Sequence, residues 1–434
     1  MALQIMKNDR FKAFLPLFIF GLSVFIFLVC RFGLDILRGE ADAGDFGIYF
    51  PALKAVLEGN NMYAFPTGEG SVFKYPPYFG IIFSPLALLP FTKSAFIWSL
   101  INSISFAIGM VAFYFIKFRR INPVSYIVFF LAGLLFIFRP LMPEMKLGNT
   151  DLLVLGFFCL FLYFYLRGKT AFSALFFTLA SYIKLGPLII LLYFIKKRQF
   201  KFILWFGLFS ILLVILPPLM LTFSFESGLE ILKGWHKNVF ASLPQNIIHL
   251  QSLKQLLLRY LTDSDIYKIN FLSLSGQTVA IIYKILCTLL VIGALFYKGC
   301  AKRNNGKLDK EIFLSDINLL FILAIIFSPA ATYLNYIYTI IPLLTIFLIT
   351  WGYREYFLKF FWFALVITLG LNNFTRNAAW KMFGIENVKE SLPNLVFMVW
   401  PIIALVLYLL LYYLRFRLLR LEKTETRKGT LACP

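Results

Sequence analysis

Histidine is nearly missing from this sequence, with two in 434 residues, and cysteine is scarce, with five. Cys30, Cys159 and Cys287 fall in apolar runs, Cys300 in a basic loop and Cys433 at the tail, so no spacing suggests a disulfide framework or a zinc site. No His, Asp or Glu spacing demands another metal, and no cofactor is expected. Acidic residues are also short, 21 against 42 basic ones, for a net charge of +21. Such an excess can mark nucleic-acid binding. Here the basic residues arrive in short clusters between apolar runs, the pattern left by the positive-inside bias of membrane insertion, and no nucleic-acid partner is expected. Low-complexity blocks are lacking, and no repeat relates the two halves, so the inverted-repeat architecture of many secondary transporters has no support.

What the chain has in quantity is apolar residues: 60% hydrophobic with 52 phenylalanines, at a mean hydropathy of +0.80. A soluble core cannot absorb that composition, which makes this a polytopic membrane protein. Runs long enough to cross about 30 Å of hydrocarbon fall near 13 to 33, 94 to 117, 123 to 139, 149 to 166, 202 to 222, 278 to 297, 316 to 331, 335 to 351, 356 to 371 and 393 to 416. The first is followed by Arg and Asp instead of a small-residue cleavage site and reads as a retained anchor. "YFGIIFSPLALLPF" is too short to cross and should lie along the membrane surface. The run from 170 to 195 has "RGK" before it, "KKRQFK" after it and a break at "KLGP". Two half-length helices that dip in and return satisfy both basic flanks, and we read it so, the alternative being one kinked span. The expected fold is one all-α transmembrane bundle over residues 1 to 434, with about ten spans, a re-entrant pair and interfacial helices in external loops.

With that reading every basic cluster falls on one side, which puts both termini, including the basic tail 417 to 434, in the cytoplasm of a cell-membrane protein. The opposite face receives a first loop from 34 to 93, the short loop "RPLMPEMKLGN", a long loop from 223 to 277, the turn "ATYLNY" and a loop near 371 to 394. In the long loop "IIHLQSLKQLLLRYL" has the spacing of an amphipathic surface helix.

The first loop is acidic and tyrosine-rich. Of Asp35, Glu40, Asp42 and Asp45, only Asp45 precedes a clear helical pattern, in which Phe46, Tyr49, Leu53 and Val56 share one face and Gly59 closes the helix. Asp45 is expected at the N-cap, a position that needs no catalytic role. Lys184, at the tip of the re-entrant pair, must either snorkel to water or face a wet, charged cavity. Asn149 and Asp151 stand where they could cap a span or touch a substrate. Arg259 lies on the polar face of the amphipathic helix, with Arg139, His236 and His249 as further cations on this side.

"DFGIYFPALKAVLEGNNMY" followed by "FKYPPY" resembles the opening external loop of the polyprenyl-phosphate-mannose-dependent mannosyltransferases, the family of the phosphatidylinositol mannoside mannosyltransferases. The pattern Asp, Tyr, Ala, Gly, Tyr, Tyr-Pro-Pro is matched in order by Asp45, Tyr49, Ala52, Gly59, Tyr63, Tyr75, Pro76 and Pro77. "GNTD", "YIKLGP", "LQSLKQLLLR" and "SPAATYLNY" resemble later landmarks, so the likeness touches residues 45 to about 345. Leu334, Asn335 and Tyr336 stand where members often have His-Tyr or Tyr-Asp, so no phosphate-contacting histidine carries over, and Leu250 replaces an Asn before Gln251.

The resemblance implies a glycosyltransferase-C fold and an inverting transfer of a sugar, mannose by analogy, from a polyprenyl-phosphate donor to a hydroxyl of a glycan or glycolipid acceptor. The reaction would run on the extracytoplasmic face with Asp45 as general base. Tyr49, Tyr63, Tyr75, Asn149, Asp151, Lys184, Gln251, Ser252, Arg259, Asn335 and Tyr336 are the candidate substrate contacts. The rivals are a lipid or solute transporter, and a polysaccharide polymerase or ligase using a lipid diphosphate.

Overall fold

The computed structural model describes residues 34–38, 44–64, 72–116, 123–222, 224–241, 250–263, 270–296, 308–328, 331–351 and 399–431. The runs expected at 13 to 33 and 356 to 371 lie outside them, as do Glu40, Asp42 and His249.

Among the described residues the secondary structure is helical, save for one isolated bridge between Leu250 and Thr332. After a single helical turn at Leu34–Leu37, the helices in chain order are α1 Gly44–Leu57, α2 Pro77–Phe83, α3 Phe91–Tyr114, α4 Pro123–Phe136, α5 Phe138–Leu147, α6 Asp151–Leu166, α7 Thr170–Ile183 and α8 Leu191–Lys196. There follow α9 Phe200–Thr222, α10 Phe225–Ala241, α11 Leu253–Leu261, α12 Gly276–Phe296, α13 Leu308–Ile326, α14 Ile340–Thr350 and α15 Val399–Leu431, with a 3₁₀ helix Tyr333–Thr339 leading into α14. Five helical segments, Phe91–Tyr114, Phe200–Thr222, Gly276–Leu295, Tyr333–Thr350 and Val399–Leu418, are long and apolar enough to cross a membrane. The chain is a multi-pass membrane protein.

Several expectations need correction. The run at 123 to 139 bends by 73° at Ile137, so α4 and α5 are distinct and most of the expected short loop "RPLMPEMKLGN" is helix. The helix expected at 316 to 331 begins at Leu308 and carries Glu311 and Asp316 into the interior. Charges of that kind hide a span from hydropathy, but Asp316 is compensated: Arg415 of α15 reaches its Oδ1 at 2.6 Å through Nε and donates to the carbonyl of Ala294 on α12 at 3.0 Å. The long loop is not loop throughout, since α10 occupies its first third. The amphipathic helix is shorter than its apolar pattern, starting at Leu253, where Ser252 caps it by accepting from the Gln255 N–H at 3.3 Å.

Helices α3 and α6 pack closely together. Gly109 on α3 and Gly156 on α6 meet where the axes cross, and a Cβ built on Gly109 would stand 2.7 Å from the Gly156 Cα. Small residues at such a crossing let backbones approach closely, which is how helices gain packing energy in lipid. A side chain at Gly156 would run into the backbone of Ser105. Gly156→Val is therefore expected to cost more than about 3 kcal/mol by overpacking, read as a large drop in the unfolding temperature of detergent-solubilised protein.

Beyond α6 the chain turns through Arg167, Gly168 and Lys169 and α7 runs back along it, so Lys184 at the end of α7 meets Asp151 at the start of α6. The following segment then returns. Phe194 of α8 packs against Tyr165 at 5.3 Å and Phe161 at 6.1 Å, near the far end of α6. The two basic flanks thus lie at one end of α6 and Lys184 at the other, about 24 Å away for a 16-residue helix.

Candidate active site

The site is built where the N-terminal ends of α1 and α6 meet the 3₁₀ helix. α1 buries Phe46, Tyr49 and Leu53 on the face its sequence dictates. Its start at Gly44, however, puts Asp45 inside the first turn and not at the cap. Phe46, Tyr49, Tyr75, Phe79 and Trp98 form one aromatic cluster, with ring centroids 4.7 to 6.2 Å apart. Each good pair contributes about 0.5–1.5 kcal/mol beyond its buried area. Tyr49, Tyr63 and Tyr75 are buried by protein. The Tyr49 and Tyr75 hydroxyls pair at 2.7 Å, Thr150 donates to the Tyr75 oxygen at 3.3 Å, and the Tyr63 hydroxyl donates to the Tyr75 carbonyl at 2.7 Å. Burial pushes the Tyr75 phenol up to about 12, so it stays a neutral hydroxyl.

Asp151 is the centre. α5 ends at Gly148, whose φ of 68° only glycine adopts freely and whose carbonyl accepts from the Trp98 indole at 2.7 Å. The chain then passes through Asn149, whose Oδ1 takes the Thr150 N–H at 2.7 Å, and enters α6 at Asp151. The Asp151 side chain does not cap the helix. It is fully buried and takes the Lys184 ammonium at 2.9 Å and the Tyr338 hydroxyl at 2.7 Å on Oδ1, with the Asn335 amide at 2.8 Å on Oδ2. Glu144 of α5 accepts the Asp151 N–H at 3.1 Å and so caps the helix in its place.

Asn335 and Tyr338 can serve one carboxylate because residues three apart eclipse in a 3₁₀ helix. That turn is set by a capping box, in which Asn335 returns its Oδ1 to the Thr332 N–H at 3.0 Å. A second tie fastens it to the segment before α11: Gln251 N–H donates to the Ala331 carbonyl at 2.7 Å, and the buried Tyr336 donates its hydroxyl to the Gln251 carbonyl at 2.5 Å.

Asp45 is half-buried beside this knot, and among the described residues no side chain hydrogen-bonds to it. Burial raises its carboxyl above the usual aspartate value; Lys184 pulls it down, Asp151 pushes it up and Lys74 pulls it down. Asp45 is thus a half-buried carboxylate within the electrostatic reach of a protein-held ion pair whose lysine is still 29% exposed. Such an arrangement can take a proton and hold an anion.

Of the predicted residues, Asp45, Tyr49, Tyr75, Asn149, Asp151, Lys184 and Asn335 are brought together, Tyr63 supports them, and Gln251 and Tyr336 anchor the 3₁₀ helix. Ser252 is a helix cap, and Arg259 sits two turns further along α11, buried instead of on a solvated face. Arg139 lies beside Tyr333, while His236 is exposed on α10 against Phe240. Tyr338, Glu144 and Lys74 were not anticipated. The spacing of Asn335 and Tyr338 is a readable signal for the first, but nothing local marks Glu144. No group of three or more His, Cys, Asp or Glu among the described residues could hold a metal ion.

No curated protein matches the chain. The crystal structure of ArnT from Cupriavidus metallidurans bound to undecaprenyl phosphate is similar at 14% identity and a TM-score of 0.32, over 90% of this chain and 77% of that one. The family model of glycosyltransferase family 87 matches residues 73–329, a stretch that holds Tyr75, Asp151 and Lys184 and leaves Asp45 and the 3₁₀ helix outside it. With more than half of its length matched, the chain belongs to glycosyltransferase family 87 and is a membrane glycosyltransferase.

Proposed function

We propose that this enzyme, a glycosyltransferase-C bundle, transfers one sugar, mannose by the resemblance of its first loop, from a polyprenyl-phosphate donor to an acceptor hydroxyl. Transfer inverts the anomeric centre, with Asp45 as general base on the extracytoplasmic face. The observation that carries this reading is the half-buried Asp45 carboxylate within the electrostatic reach of the Lys184–Asp151 pair.

A hydroxyl is a poor nucleophile, and a carboxylate within about 3 Å takes its proton as the anomeric carbon is attacked. A base must be ionised to act, and Lys184 favours that form against burial. The leaving group is a phosphate and needs cations instead of an acid. Asp151 uses one hydrogen bond of the Lys184 ammonium, which has three donors, and the others remain for phosphate oxygens. Asn335 and Tyr338 keep Asp151 from swinging toward the acceptor.

The test supplies purified protein with radiolabelled polyprenyl-phosphate sugars and an acceptor extract. Transfer of a single sugar, preferring mannose, is expected. Transport without transfer would favour a lipid or solute carrier, and transfer only from a lipid diphosphate a polymerase or ligase; either result removes the proposal.

A further inference from the structure

Glu144 ties α5 to α6 twice. Its backbone carbonyl accepts the Asn149 N–H at 3.3 Å across the turn at Gly148, and its side-chain Oε1 accepts the Asp151 N–H at 3.1 Å. The side chain is 1% exposed, so water does not solvate it. Donors around it are few. Oε2 has no hydrogen-bond partner, and among the described residues no Lys, Arg or His forms an ion pair with this carboxyl. Asp151, equally buried, is the contrast: its carboxylate receives the Lys184 ammonium, the Tyr338 hydroxyl and the Asn335 amide. An ionised carboxylate offers about four lone-pair sites, and one buried with a single neutral donor is so costly that the group keeps its proton instead. With the proton on Oε2, Oε1 still accepts the Asp151 N–H. The orphaned hydroxyl that results costs far less than an orphaned charge.

We propose that Glu144 is a neutral acid in the native enzyme, a positioning residue that fixes the start of α6, and with it the Asp151–Lys184 pair, without adding a second buried negative charge. Its consequence for turnover rests on the reading of the reaction above. The groups that face it are Asp45 and Tyr49 from α1, Asp151 from α6, Lys184 from the end of α7, and Tyr333 and Tyr338 from the 3₁₀ helix. α4 brings Tyr126, which donates to the Met110 carbonyl instead. Lys184 is thus the cation among them, and Asp151 already holds it. An anionic Glu144 would draw on the same ammonium from behind Asp151, at the expense of Asp45 and the donor phosphate. A neutral one leaves that field to them.

The test compares Glu144→Gln, the isostere of the protonated acid, with Glu144→Ala in the full-length enzyme. An infrared difference spectrum of wild type minus Glu144→Gln at neutral pH should contain the carbonyl stretch of a protonated carboxylic acid. Stability reports the same proton with a fixed sign. A carboxyl that is neutral when folded and ionises when unfolded binds more protons in the native state, so wild type loses stability as pH rises above the ordinary glutamate value of about 4.3. Glu144→Gln has no such loss. Its unfolding temperature in detergent should therefore be at or above that of wild type at neutral pH, with a gap that widens from about pH 5 to pH 8. In donor kinetics Glu144→Ala should lower kcat/KM about 10²-fold, the loss that goes with an ångström of misplacement, and Glu144→Gln should recover most of it. A spectrum without the protonated-acid band, a gap that reverses as pH rises, or a glutamine variant as slow as the alanine one overturns the proposal. Wild type inert toward every polyprenyl-phosphate sugar overturns the donor reading instead, and the infrared and unfolding measurements, which need no donor, still decide the charge of Glu144.

Discussion

Asp45→Asn should abolish most turnover, with kcat reduced about 10²- to 10⁴-fold while the lipid donor still binds. The amide keeps the size of the carboxyl and loses its basicity. Stability separates this from a folding defect. Burial penalises the ionised form of Asp45, which is what raises its carboxyl above the usual range, so in the native state at neutral pH the charge is a cost. Removing it leaves the unfolding temperature of Asp45→Asn equal to or above that of wild type. The pH dependence has a fixed sign: the base works only when ionised, so activity falls as pH drops through the raised value, and the acid limb lies above that of an exposed aspartate. A limb at the ordinary value, or an Asn variant with near-normal kcat, would remove Asp45 from the reaction.

The second large effect concerns the pair behind it. Asp151→Ala leaves Lys184, Asn335 and Tyr338 without their shared acceptor, and loss of one partner of a buried pair costs about 3–5 kcal/mol. The lower end is expected, because Lys184 retains 29% exposure and water can solvate it. Lys184→Met strands a fully buried carboxylate and should be the worse of the two for the fold. The double variant Asp151→Ala with Lys184→Met should lose less than the sum of the singles by at least about 1 kcal/mol, measured by thermal or denaturant unfolding in detergent. Additive losses would mean that the two side chains act independently. All three variants should be nearly inactive.

Much of this was legible in the chain. The face of α1, the break at "KLGP" and the short helix that carries Arg259 follow from periodicity, charge and turn chemistry, which are local properties, whereas the candidate substrate contacts are what the resemblance implies. What escaped was non-local or compensated. α13 carries Asp316 and Glu311 into an apolar interior, and the Arg415 that pairs with Asp316 lies far along the chain. The bend at Ile137 has its signal in Pro140, which lacks the N–H that would bond the Phe136 carbonyl, but hydropathy does not read it and ran across the break. On sequence alone Asp151 could cap its helix or touch a substrate, because two of its partners, Asn335 and Tyr338, are 184 and 187 residues away. Tyr49, Tyr63 and Tyr75 stand only as candidate substrate contacts in the sequence, which cannot say that their rings pack into an aromatic cluster.

The hairpin of α6 and α7 carries Asp151 and Lys184 at its open ends, so their opposite charges arrive in the bilayer together. A nascent chain emerging N-terminus first would bring in this neutral unit long before Asn335 and Tyr338 have been synthesised. Charge neutrality during biogenesis is thereby the work of the hairpin alone, while the geometry needed for turnover is completed only when the later turn docks. A ribosome-stalled chain ending before residue 333 should therefore insert stably and yet be catalytically silent.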